Sequence, residues 1–289
     1  MKPSLAFALL CLLAAPSDAA PPGAVKRLTA EPSRRAYTLT TASGVVTKVI
    51  FYRPDVFRIL AAPGGDFRDP ENDPKKAQIV IDDRRSVSPV TVKETPADIT
   101  FATEKVVLRV GKADSRFSAW TPAGKAIWEE VVPLDIGEKA TVQALTSSAD
   151  EAFFGGGQQN GFFAHTGTRI AIEADGNWEE GGHPNPAPFF ISNRGYGVLR
   201  NTFSTGAYDF TDSRLIRLQH DEKRFDAYYF FGPGIHRVLD LYTQFTGRPN
   251  FVPIWALELG DADAWMTRDR QTKEPLKDKD GAFVETTPD

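Results

Sequence analysis

Residues 153–209 read FFGGGQQNGFFAHTGTRIAIEADGNWEEGGHPNPAPFFISNRGYGVLRNTFSTGAYD. Two short apolar runs inside this stretch, 187–192 and 196–202, flank the turn Asn193-Arg194-Gly195. Gly195 can adopt positive φ, so the pair reads as a β-hairpin buried on at least one face. Ahead of it, residues 175–188 form a polar, acidic and aromatic segment containing Asn177, Trp178, Glu179, Glu180 and His183. A loop of such residues on a rigid hairpin is where binding chemistry concentrates. The triple glycine Gly155-Gly156-Gly157 is followed by no Lys-Ser/Thr pair, and no helix opens after it. It therefore reads as backbone passing close to neighbouring strands, not as a phosphate cradle.

Working towards the N-terminus, the pattern stays strand-like. Strands are expected at 37–40, 45–52, 56–61, 78–81, 90–93, 99–103, 106–110, 117–120, 127–130, 140–145 and 151–154. A Pro-Gly turn at 121–125 separates two of them. Towards the C-terminus, 169–173, 215–218 and 225–231 add three more. Strands at this spacing without helical periodicity between them predict an all-β antiparallel sandwich. Only at 234–245 do Ile235, Val238, Leu239, Tyr242 and Phe245 recur at helical spacing. Gly247, Pro249 and Pro253 end that helix as a linker, 254–259 reads as one buried strand, and 268–280 is mixed-charge.

Composition sets the outer limits. The 289 residues are 41% hydrophobic and 25% charged, enough to bury a sizeable core, and the net charge of -4 offers no basic surface for nucleic acid. Lys2, the apolar run 5–15 and the small residues Ser17-Asp18-Ala19 read as a signal peptide cleaved after Ala19, with a membrane anchor as the competing reading. Cys11 lies in that segment, so the mature chain has no cysteine, no disulfide and no thiol nucleophile. An exported chain without cysteine predicts a bacterial periplasmic or extracellular protein, off the membrane once the leader is cut.

The order of pieces resembles the N-terminal part of glycoside hydrolase family 31, the α-glucosidases, α-xylosidases and α-glucosyltransferases. The resemblance rests on the 154–159 strand-turn, Pro188-Phe189-Phe190-Ile191-Ser192, the hairpin Gly195-Tyr196-Gly197-Val198 and the helix 235–246. Gly247-Arg248-Pro249, leading through Pro253 to Trp255-Ala256-Leu257, completes it. The resemblance implies a galactose-mutarotase-like β-sandwich over 20–247, then at 248–289 a linker and the start of a (β/α)8 barrel. A whole barrel takes roughly 250 residues, and the family's nucleophile and acid/base aspartates lie on later barrel strands. The resemblance therefore implies the front end of an enzyme, or a truncated product, whose barrel is expected in the same polypeptide. No catalytic residue is assigned here, and neither metal nor cofactor is expected.

An α-linked oligosaccharide or glycoside is the implied ligand, and the family's sandwich loop lines the sugar pocket. On that reading Trp178 is a stacking surface, and Asp175, Asn177 or Glu179 are partners for sugar hydroxyls. The competing reading makes Trp178 a sandwich plug and Glu179-Glu180 a solvated turn. Asp261 and Asp263 follow the expected first barrel strand on the face where barrel enzymes bind substrate; a loop-capping carboxylate is the alternative there. Glu179 and Glu180 are sequence neighbours that point to opposite sides of an extended segment, so they cannot form a retaining pair of carboxyls about 5 Å apart. His165, His183, His220 and His236 show no metal-binding spacing and no mutarotase-like setting. A stand-alone carbohydrate-binding sandwich is the second reading, and an aldose mutarotase-like epimerase the third.

Overall fold

The computed structural model describes residues 21–31, 35–67, 78–81, 89–253, 265–266, 276–282 and 285–286. The expected leader, the expected barrel strand at 254–259, Asp261 and Asp263 lie outside the described residues. The chain divides into two compact units, Met1–Arg248 and Pro249–Asp289. In the second, β19 (Trp265–Met266) pairs antiparallel with β20 (Glu285–Thr286).

The first unit is layered around one eight-stranded antiparallel sheet. Its order is β1 (Val25–Ala30), β2 (Ala36–Thr41), β3 (Val45–Arg53), β4 (Val56–Pro63), β18 (Phe225–Phe231), β15 (Tyr196–Arg200), β14 (Asn185–Ser192) and β12 (Phe153–Gln158). A meander of β5 (Thr91–Glu94), β6 (Asp98–Ala102), β7 (Val107–Gly111), β8 (Phe117–Trp120) and β9 (Ala126–Glu129) forms a second sheet. The third has the order β10 (Asp135–Ile136), β11 (Thr141–Thr146), β17 (Leu215–His220), β16 (Gly206–Asp209) and β13 (Arg169–Ile172). An antiparallel bridge between Glu130 and Leu145 links the two smaller sheets, and both pack on one face of the large sheet through a shared core.

Alternation decides which residues enter that core. On β6, Ile99 and Phe101 point inward and are fully buried, as period-2 patterning requires. On β18 the run FDAYYFF is buried throughout because it is covered on both sides. Phe225, Ala227, Tyr229 and Phe231 face the sandwich core, while Tyr228 and Phe230 face the opposite side. That outer side is covered by α1 (Ile235–Thr246), which buries Val238, Leu241 and Phe245. Each such side chain contributes roughly 1.5–3 kcal/mol relative to exposure. Tyr242 of α1 stacks on Phe189 of β14, with ring centroids 3.7 Å apart and planes within 5°.

The hairpin expected at 187–202 is therefore β14–β15, buried on both faces: Phe190 and Val198 face the sandwich core, and Phe189 and Leu199 face the helix. The triple glycine lies in β12, and the reason is close approach. A Cβ on Gly157 would lie 2.3 Å from the Ala187 nitrogen, and one on Gly155 would lie 2.7 Å from the Phe189 oxygen.

Four expectations need correction. Residues 78–81 are irregular, not a strand; Val80 packs into the helix-side core, and the Ile81 amide donates to the Phe245 carbonyl. On α1, Leu241 is buried and Leu239 exposed, because the face meeting the sheet is rotated by one position. The edge strand β1, VKRLTA, was not expected; its charges, and partial burial only at Val25 and Leu28 three residues apart, hide its pairing with β2. β10 escaped for lack of length, at two residues, and β16 was not expected because GAYD opens on a glycine and holds one large apolar residue.

Candidate functional site

The segment between β13 and β14 is held by its own polar side chains. The Asp175 carboxylate accepts the Asn177 amide at 2.8 Å and the His183 amide at 3.1 Å through Oδ1. Its Oδ2 lies 3.4 Å from His183 Nε2. His183 Nδ1 donates to the Glu173 carbonyl. The amide bond from Asn177 first, then that from His183, holds the Asp175 carboxyl below its ordinary range. Asn177 Oδ1 in turn accepts the Glu179 amide at 3.0 Å. These are Asx turns, in which a short side chain replaces a backbone partner and fixes the chain's direction.

Asp175 and Asn177 thus shape the loop, which leaves Trp178, Glu179 and Glu180 projecting from it. Trp178 is 67% exposed, so it does not plug the sandwich. Glu179 and Glu180 are exposed as well. The structure brings Asp175, Asn177, Trp178 and Glu179 together on this one loop; it has no bearing on Asp261 and Asp263.

Sequence reading missed Asn160, in the connection between β12 and β13. Its backbone amide donates to the Gly182 carbonyl at 2.8 Å, and its carbonyl accepts the Gly181 amide at 3.0 Å. Its Nδ2 donates to the Glu179 carbonyl at 2.9 Å and reaches that of Asn177 at 3.5 Å. Gly182 is buried against Asn177, where a Cβ would stand 2.2 Å from the carbonyl oxygen. The signal available was the Asn160-Gly161 dipeptide ahead of two exposed aromatics, Phe162 and Phe163, at 66% and 88% exposure. A cavity of about 310 Å³ lies between the two connections, bounded by Gln159, Asn160, Phe162, Arg169 and His183. A second of about 380 Å³ opens between Glu173, Pro184, Asn185 and Phe203.

Two histidines are structural. His165 Nε2 donates to the Gly155 carbonyl at 2.9 Å. His220 Nδ1 donates to the Ser204 carbonyl at 3.0 Å, so its Nε2 accepts the Tyr208 hydroxyl at 3.2 Å. Burial, reinforced by the Arg200 charge, pushes His220 down to about 3 and keeps it neutral. Among the described residues, neither has the carboxylate partner that an acid–base pair across a sugar ring would need. Among the described residues no three His, Cys, Asp or Glu side chains converge as metal ligands.

A glycosyl hydrolase 31 N-terminal galactose mutarotase-like domain model matches residues 46–209. The chain belongs to glycoside hydrolase family 31. Within that family it is 30% identical over 131 residues to an alpha-xylosidase from Emericella nidulans, covering 44% of this chain and 16% of the relative. It is 26% identical over 230 residues to alpha-glucosidase 2 of Bacillus thermoamyloliquefaciens, covering 73% and 28%. The Flavobacterium johnsoniae GH31 dextranase, solved with isomaltotriose, superposes with a TM-score of 0.74 at 20% identity, over 82% of this chain and 30% of that one. The family-31 chain described here thus spans between a sixth and a third of the length of these proteins.

Proposed function

We propose that this chain is the N-terminal sandwich of an exported retaining α-glycoside hydrolase or α-glucosyltransferase, with the loop 175–183 as one wall of the sugar pocket. The observation that carries this reading is an exposed tryptophan on an internally bonded loop. Sugars bind through an apolar ring face laid on an aromatic side chain and through hydroxyls on fixed polar groups. A flat indole beside two free carboxylates offers both. The reaction itself needs an ionised nucleophile and a protonated acid about 5 Å apart. We assign that pair to the barrel that follows this region in a complete enzyme, and export to the leader at 1–19. The similarity to proteins that act on α-glycosides supports the substrate class.

The test joins this N-terminal region to a family-31 barrel. Trp178→Ala should lower kcat/KM at least tenfold, about 1.4 kcal/mol of transition-state stabilisation, with the melting temperature unchanged. Retained activity with lost stability would sink the proposal. The 289-residue chain alone should release no nitrophenol from aryl α-glycosides. Release that a single substitution within the chain abolished would place the catalytic pair inside it.

A stand-alone carbohydrate-binding role is the second reading, and one observation favours it. Phe162 and Phe163 are exposed on the connection that Asn160 ties to the Trp178 loop, a display of aromatics that a saccharide could cover. Binding of isomaltotriose by the isolated chain would support it.

A further inference from the structure

The loop that presents Trp178 is anchored to the rest of the sandwich largely through one residue outside it. Residues 175–183 are exposed except for Gly182 and the half-buried His183, so no hydrophobic anchor fixes their height above β13. Internal bonds from Asp175 and Asn177 give the loop a shape but not a place. Apart from the His183 Nδ1 bond to the Glu173 carbonyl at the base of the loop, place comes from Asn160, which meets the loop at four carbonyl or amide groups: those of Asn177, Glu179, Gly181 and Gly182. The backbone pair with Gly181 and Gly182 resembles one rung of a ladder, and the side-chain amide spans the next turn of chain. An amide side chain suits this position because Nδ2 has two protons for two carbonyls. Gly182 completes the arrangement by letting the chain fold back onto Asn177.

We infer that Asn160 is a positioning residue for the Trp178 loop, holding Trp178, Glu179 and Glu180 as the ligand-facing set while Asp175 and Asn177 serve the frame. The inference rests on the proposed role of that loop. It also assigns the work differently from a reading in which Asp175 and Asn177 meet the sugar: Asp175 Oδ1 already accepts two backbone amides and Asn177 Oδ1 one, so those two oxygens serve the frame of the loop. A loop held in place before binding loses less conformational entropy when a ligand arrives.

The test uses the 289-residue chain and two readouts. Asn160→Asp is isosteric but has no donor for the Glu179 and Asn177 carbonyls, and Asn160→Gln keeps the amide on a longer stem. Hydrogen exchange of the peptide covering 175–183 should speed up at least tenfold in Asn160→Asp and recover in part in Asn160→Gln. The melting temperature should move by no more than about 2 °C. Unchanged exchange in Asn160→Asp overturns the inference, and so does a global loss of stability that accelerates exchange everywhere. Isomaltotriose, titrated by tryptophan fluorescence, supplies the second readout, with Trp178→Ala as its control. If Trp178→Ala binds as the parent does, the saccharide reading of the loop falls; if the parent binds nothing, the stand-alone reading falls. The exchange result still decides the role of Asn160.

Discussion

The two ends of β14 are fastened in different ways. At the turn end, Asn193 accepts the Ala152 amide at 3.0 Å through Oδ1 and donates its own amide to the Ala152 carbonyl. Arg194 pairs with Asp150 at 3.0 Å, and the buried Glu151 accepts the Ser192 hydroxyl at 2.5 Å. At the loop end, Asn160 plays the part of Asn193, but every carboxylate nearby is exposed and no buried charge sits beneath. The turn end is locked around one buried carboxylate, that of Glu151. The loop end is locked by hydrogen bonds that water can replace, and there the chain displays its aromatics. A surface that must exchange water for ligand is better built the second way, since its frame can yield locally without opening the core.

Three substitutions would break or sharpen this contrast. Glu151→Ala should be the most damaging, at roughly 3 kcal/mol, because it leaves the buried Ser192 hydroxyl without its acceptor and takes one partner from Arg194, which keeps Asp150; urea denaturation reads it directly. Next in size is a pH effect from the core. Glu130 accepts Gln143 Nε2 at 2.7 Å and the Phe117 amide at 2.9 Å, and burial pushes its carboxyl up to about 7. An acid whose folded pKa is raised contributes its full stability below its unfolded value near 4.5 and loses it as pH rises towards 7. Stability should therefore decline across that window, by on the order of 3 kcal/mol, and Glu130→Gln should flatten the profile. A flat profile in the parent would mean that Glu130 stays ionised in the fold. The smallest effect belongs to Asp175→Ala, which should leave the denaturation midpoint almost unmoved while exchange of 175–183 rises. If it costs as much as Glu151→Ala, the two ends are fastened alike.

Much of this was legible because burial leaves period-2 patterns. The hairpin around Gly195, the run 225–231 and the tight glycines of β12 each follow from apolar alternation or a steric demand written locally. The loop residues were found by type, as an aromatic among amides and acids, but their division of labour was not. Whether Asp175 faces a sugar or the Asn177 amide depends on two torsions that no spacing encodes. Asn160 was invisible for a related reason: its partners lie 17 to 22 residues away, at backbone groups every sequence possesses. β1 was hidden because an edge strand protected by Lys26 and Arg27 resembles a solvated loop.

The stacking of Tyr242 on Phe189 has a mechanical consequence. Phe189 lies on the strand that leads out of the Trp178 loop, and Tyr242 lies one turn before the point where the chain leaves α1. Tension applied beyond Gly247 would load the helix end on, pulling Phe245 and then Tyr242 away from the sheet one ring at a time. A peeling geometry yields at low force, whereas the strands beneath resist together. Stretched in an optical trap, the molecule would therefore lengthen first by about a dozen residues of helix, roughly 1.5 Å folded against about 3.5 Å extended for each, and β14 would lose its outer cover while its hydrogen bonds still held.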